Sequence, residues 1–272
     1  MKQAALSFLL LLTSCFLLLT QTLAQSPTTT EFNFDRAYQD YLYNYNLYRS
    51  AYQDYLVAQN EYQKYKTLSS QTKFLETAKT MLLTRADTVK TYLTALRMKL
   101  RETTGIINYQ QNLYYVKLDD EVAWVDSYKQ SLPSAGSLDD LGQLSSQMEG
   151  KSNLYHYLAY KTIGVVVCAR ESALKEHVQD VISRLENQIN QIRNEGRNTD
   201  VLERWLIEAK QKFARAEEKF TQAQNIYGSI TENPSSQTNG YNSAGVALEQ
   251  SNQYLKETIT SLKEIIREIK NE

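Results

Sequence analysis

The residues able to do chemistry in this chain are few, and their spacing does not suit them to it. The 272 residues include two histidines, His156 and His177, and two cysteines, Cys15 and Cys168. On one helix the histidines would stand about 31 Å apart, too far to share a metal ion. Neither belongs to a His-Glu-x-x-His zinc motif or to the Glu-x-x-His pattern of di-iron bundles. Glu176 adjoins His177, but neighbouring residues of a helix point to different faces. No glycine-rich phosphate loop occurs. Carboxylates cluster in Asp119-Asp120-Glu121, Asp139-Asp140 and Glu217-Glu218, and on amphipathic helices such clusters are solvated faces. The residues therefore assign no catalytic group, no cofactor and no metal ligand, and they point away from an enzyme.

Tyrosine is the one strong bias, with 20 residues. Ala37-Tyr38-Gln39-Asp40-Tyr41-Leu42 recurs two heptads later as Ala51-Tyr52-Gln53-Asp54-Tyr55-Leu56. Tyr38, Tyr41, Tyr45, Tyr48, Tyr52, Tyr55 and Tyr62 follow the three-and-four spacing of one helix face. A buried tyrosine needs a partner for its hydroxyl. The stripe therefore fits a wide face of a multi-helix bundle, with hydroxyls reaching toward Gln39, Asp40, Gln53 and Asp54. It also fits a recognition face, because rigid amphipathic rings among amides suit sugar or peptide ligands. Tyr43 and Tyr65 fall off the stripe, as do Tyr155, Tyr157 and Tyr160. These five are the candidate exposed interaction surface.

Helices must position these residues. Apolar residues recur at spacings of three and four between sparse breakers, and no stretch alternates with period two. The expected fold is all-α, an elongated antiparallel bundle with heptad packing. Six long helices are expected at about 32–67, 71–104, 108–131, 152–195, 200–230 and 243–271. Between the first two, the apolar frame slips by one residue, about 100° around a helix. A turn at Ser69-Ser70-Gln71-Thr72 absorbs that slip and makes a hairpin. Ser137 with Asp140, and Asp200 with Glu203, read as N-terminal capping pairs.

The last helix carries a seam, with Asn252, Ile259 and Ile266 at a and Leu248, Leu255, Leu262 and Ile269 at d. β-Branched residues at a with Leu at d favour a parallel two-stranded coil. A flexible 231–242 linker would free this helix for self-association; alternatively the same seam packs on helices four and five of its own chain.

The N-terminus reads as an address. Met1-Lys2-Gln3 precedes an apolar run from Ala4 to Leu19, and Thr22-Leu23-Ala24 offers a small-residue cleavage site. Residues 4–24 also reach the minimum length of a membrane anchor, and Leu12-Thr13-Ser14-Cys15 resembles a bacterial lipobox. Each version exports the body of the chain. The expected division is a signal peptide at 1–24, a polar leader at 25–31 and a tyrosine-rich helical region at 32–131. A connecting loop with a short helix follows at 132–151, then a three-helix bundle at 152–272. Removing the signal would leave Cys168 alone, so no intrachain disulfide can form. Its apolar neighbourhood suits a buried, inert thiol, with an intermolecular bridge as the other course. No Asn-x-Ser/Thr sequon is present, which suits a bacterial envelope.

A net charge of −1 excludes the usual basic nucleic-acid face. The expected function is a non-enzymatic structural or interaction component of a cell envelope or exterior. Protein partners, among them a second copy, would be met through helix–helix contacts, and a membrane only through a retained anchor. The alternatives are a glycan- or small-ligand-binding module that uses the tyrosine-rich surface, and an anchored helical sensor ectodomain.

Overall fold

The computed structural model describes residues 32–271. The signal peptide, the polar leader and the anchor and lipobox readings lie outside the described residues. Apart from Phe32, the described residues belong to one unit, 33–272. Among them the fold is all-α, with no strand. Its helices are α1 (Phe34–Tyr65), α2 (Leu68–Glu102), α3 (Asn108–Ser131), a 3₁₀ turn (Leu132–Ser134), α4 (Leu138–Gly150), α5 (Ser152–Asn194), α6 (Asp200–Ser229) and α7 (Pro234–Asn271).

The frame slip between α1 and α2 is taken up by a two-residue turn. Lys66 adopts left-handed backbone at φ 48° and donates its N–H to Tyr62 O, and Thr67 then caps α2. Thr67 and Ser70 satisfy each other's backbone reciprocally, which sets the start of a helix firmly. The break therefore falls before the expected Ser69–Thr72, and those residues form the first turn of α2. Ser137 and Asp140 make the expected capping box of α4. Asp200 does not cap α6: Thr199 holds that position, and its hydroxyl donates to Glu203 Oε1 at 2.5 Å.

The larger correction concerns α7, which starts at Pro234 rather than Ser243, so 231–242 is not a flexible linker. Proline suits the first helical position because its missing N–H would have no partner there, and Asn233 Oδ1 accepts the Ser235 N–H at 3.1 Å. The polar residues that read as loop are packed: Gln237 is buried and donates to Asn153 O at 3.2 Å. Tyr241 stacks on Tyr160 with ring centroids 4.5 Å apart.

Helices α1 and α2 form an antiparallel hairpin, joined by Tyr41 on Tyr92 at one level and by Tyr55 and Tyr62 on Phe74 at another. Helix α3 returns along α2, registered by Lys90–Asp126 at 2.7 Å, Arg97–Asp119 at 2.5 Å and Lys129–Asp87. Half-exposed pairs like these are each worth about 0–1 kcal/mol, so they choose register more than they add stability. The second half is built on α5, α6 and α7. Their core joins Ile182, Leu185 and Ile189 to Leu202, Leu206 and Phe213 and to Leu255, Leu262 and Ile265. Helix α5, with 43 residues, serves both halves. Its Val166 packs with Leu100 of α2 and Tyr114 of α3, while its C-terminal end lines the α6–α7 core. Lys161 of α5 donates to the carbonyls of Tyr227 and Gly228 at 2.9 and 2.7 Å, closing the C-terminal end of α6 where carbonyls lack helical partners.

Candidate functional site

The tyrosine repeat of α1 becomes a ladder of rings. Phe34, Tyr38, Tyr41 and Tyr45 follow one another with centroids 5.9–6.1 Å apart, and Tyr92 of α2 joins at Tyr41. A second run links Tyr48, Tyr52 and Tyr55 to Phe74 and Tyr62 at 5.4–6.0 Å. Such offset and tilted pairs suit the ring quadrupole. The residues α1 buries fully against α2 are mostly small, Ala37, Ala51 and Ala58, with Phe34 and Tyr41. Small residues let the two backbones come close, and the large rings then splay to either side. Hence Tyr38, Tyr45, Tyr48, Tyr52, Tyr55 and Tyr62 are half-buried rather than enclosed.

Burial raises the phenol pKa of Tyr38, Tyr41, Tyr48 and Tyr55, with neighbouring tyrosines adding to it at Tyr41, Tyr48 and Tyr55. The expected hydroxyl partners Gln39, Asp40, Gln53 and Asp54 lie exposed. The Tyr55 hydroxyl instead accepts from Gln59 Nε2 at 3.0 Å, and Tyr41 Oη is buried with no partner.

The five off-stripe tyrosines divide. Tyr43 and Tyr65 are exposed, at 65% and 58%. Tyr157 is half-buried, with the ammoniums of Lys117 and Lys161 over its ring. Tyr155 and Tyr160 are buried, contrary to the expected exposure. The reason is α5's double duty: its N-terminal half meets α3 on one side and the start of α7 on the other. Tyr155 Oη and Glu121 Oε2 are buried without a partner in good hydrogen-bond geometry, yet they lie close enough for the carboxylate to add to the rise that burial imposes on the phenol. Glu121 accepts from Lys151 at 2.9 Å, so this acid of the expected solvated cluster points inward. Burial lowers the pKa of His156, which stacks on Tyr160.

The α7 seam is turned inward. Leu255 and Leu262 are buried in the α5–α6–α7 core, with Ile259, Ile266 and Ile269 packed against it. Leu248 and Asn252 are half-buried, and Asn252 Nδ2 donates to Leu248 O at 3.2 Å. The fully buried line runs one residue earlier than the assigned a positions, through Ser251, Thr258 and Ile265. A helix lying against two neighbours buries a wider stripe than a dimer seam requires.

Two features escaped the sequence. Glu171 is a buried acid on α5, 5% exposed, against Ser251 of α7. It lies seven residues before Val178, which is buried in the α5–α6–α7 core, so a heptad frame run backward along α5 from Val178 would have found it. Ile107, Tyr109, Leu113 and Val116 are exposed together at the start of α3. Cys168 is a free, half-buried thiol whose pKa burial and Glu171 push up to about 12. Among the described residues no group of three or more His, Cys, Asp or Glu could hold a metal ion, and no helix is long and apolar enough to cross a membrane. No protein-family model, curated protein or solved structure matches this sequence.

Proposed function

We propose that this chain is an exported, non-enzymatic interaction protein that offers the ring-lined flank of its α1–α2 hairpin to a protein partner in a cell envelope or exterior. The observation that carries this reading is the half-burial of the α1 rings. Helix α1 makes its extended contact with α2, and six of the seven tyrosines on its stripe keep part of their surface open. Rigid amphipathic rings of this kind are enriched where proteins meet. Export rests on the apolar run Ala4–Leu19 followed by Thr22-Leu23-Ala24.

The test is site-specific photo-cross-linking in native cells, with the cross-linker at Tyr45 or Tyr52, two of the half-buried α1 rings, and at Ile207 on α6, which is exposed. A discrete adduct from the α1 positions that is absent from Ile207 supports the proposal. Adducts from Ile207 alone, or none from α1, overturn it.

A second occupant of the same face is favoured by the ring runs themselves: sugars stack on such platforms, and the amides of Asn44 and Gln59 lie along this helix. Saturable quenching of intrinsic fluorescence by soluble cell-wall fragments would place a glycan there instead of a protein.

A further inference from the structure

Glu171 sits where α5, α6 and α7 meet. Ser251 of α7 is fully buried beside it. Ser251 Oγ stands 2.7 Å from Glu171 Oε1 and 2.9 Å from the carbonyl oxygen of Ala216 on α6. A serine hydroxyl has one proton to give, so it cannot serve both acceptors at once. With Glu171 ionised, Ser251 donates to the carboxylate and the Ala216 carbonyl goes without it. With Glu171 protonated, the carboxyl O–H donates to Ser251, and Ser251 donates onward to Ala216. One directed chain then ties the three helices together.

We propose that Glu171, Ser251 and the Ala216 carbonyl form a proton-operated latch, which holds α7 on α5 and α6 while the carboxyl is protonated and loosens when it ionises. The other groups around it fit this role. On α5, Lys175 lies one turn beyond Glu171, but its ammonium is drawn to Glu217 of α6 at 3.3 Å and over the Phe220 ring at 4.6 Å. Cys168, nearly a turn earlier on α5, stays a thiol at neutral pH. Helix α6 brings the Ala216 carbonyl, and α7 brings the neutral Ser251 and Asn252. Ser251, Asn252 and Lys175 favour the charged carboxylate, yet burial outweighs them and raises the Glu171 pKa.

The folded state thus holds this proton more tightly than the unfolded chain does. The latch's contribution is complete below the unfolded glutamate value of about 4.3 and is lost as pH rises through the raised folded value.

Thermal unfolding of the full chain and of Glu171→Gln, followed from about pH 4.5 to about pH 8, tests the latch. Glutamine imitates the protonated acid, since its amide donates to Ser251 at every pH. The variant should match the native chain at the acid end and melt about 3 °C or more above it at the alkaline end. A gap that does not change with pH, or a variant that melts lower at about pH 8, overturns the proposal. Amide exchange of the native chain, corrected for intrinsic rates, gives a second reading without any substitution. Protection of α7 around Ser251 should fall as pH rises through the raised folded value of Glu171 while the α1–α2 hairpin keeps its own. Equal behaviour of the two regions also overturns it.

Discussion

The ring of Tyr227 on α6 lies directly over Gly164, in the interior of α5. A Cβ added at residue 164 would stand 2.6 Å from Tyr227 Cδ1, closer than side chains approach. Glycine here is a packing requirement, although alanine is the better helix former by about 1 kcal/mol. Gly164→Ala should therefore destabilise the chain by about 1–3 kcal/mol in denaturant unfolding, the usual cost of overpacking. With Tyr227→Leu also present, the same alanine should become neutral or stabilising. A stabilising Gly164→Ala in the native background would mean that α5 and α6 sit further apart.

The hairpin turn gives opposite signs at adjacent residues. Lys66 holds left-handed backbone without being glycine, so Lys66→Gly should raise stability by about 0.5–1 kcal/mol. Thr67→Ala removes the acceptor for the Ser70 N–H and should cost about 1 kcal/mol. Both are read from the midpoint of chemical unfolding. A continuous helix through this point would reverse the first sign and abolish the second effect.

Alkali should attack the tyrosine-rich core in a defined window. Burial pushes the phenols of Tyr114 and Tyr128 up to about 12 and raises that of Tyr41 as well. Their neutral forms are preferred in the folded state, so the stability they contribute is whole below the unfolded value of about 10 and is lost as pH rises through the folded values. Phenolate absorbance should therefore keep climbing above about pH 11, together with loss of helix in the far-ultraviolet spectrum. Complete phenol ionisation near pH 10 with helix intact would contradict the burial of these rings.

Leu255 separates the two uses of the α7 seam. It is fully buried among α5 and α6 residues, so Leu255→Ala should cost about 2–5 kcal/mol. Because the contacts lie within one chain, that cost and the stability itself should not depend on protein concentration. Stability rising with concentration would show that copies share the seam.

Much of this architecture is legible in the chain itself. The three-and-four spacing of apolar residues marks every long helix, and Ser137 with Asp140 marks the start of α4, because caps and periodicity act over one turn. The same signals failed at 231–242, where asparagine, serine and glycine read as loop. There Pro234 and Asn233 open a helix whose polar residues are held by partners far along the chain, such as Asn153 for Gln237. Local propensity has no access to that compensation.

The candidate site divides the same way. Composition and spacing exposed the tyrosine repeat and the scarcity of histidine and cysteine, since those depend on residue type and order alone. Which tyrosines are open depended on how many neighbours each helix has. Tyr43 faces out because α1 leans on α2, while Tyr155 and Tyr160 are enclosed because α5 is shared by both halves. Glu171 shows the limit most sharply. Its heptad position marks it as inward, but only the approach of Ser251 and Ala216 from two other helices decides what that carboxyl can do. Helix identity is fixed by contacts a few residues apart, whereas the face a helix buries and the state of a buried acid are set by groups that meet only when the chain has folded.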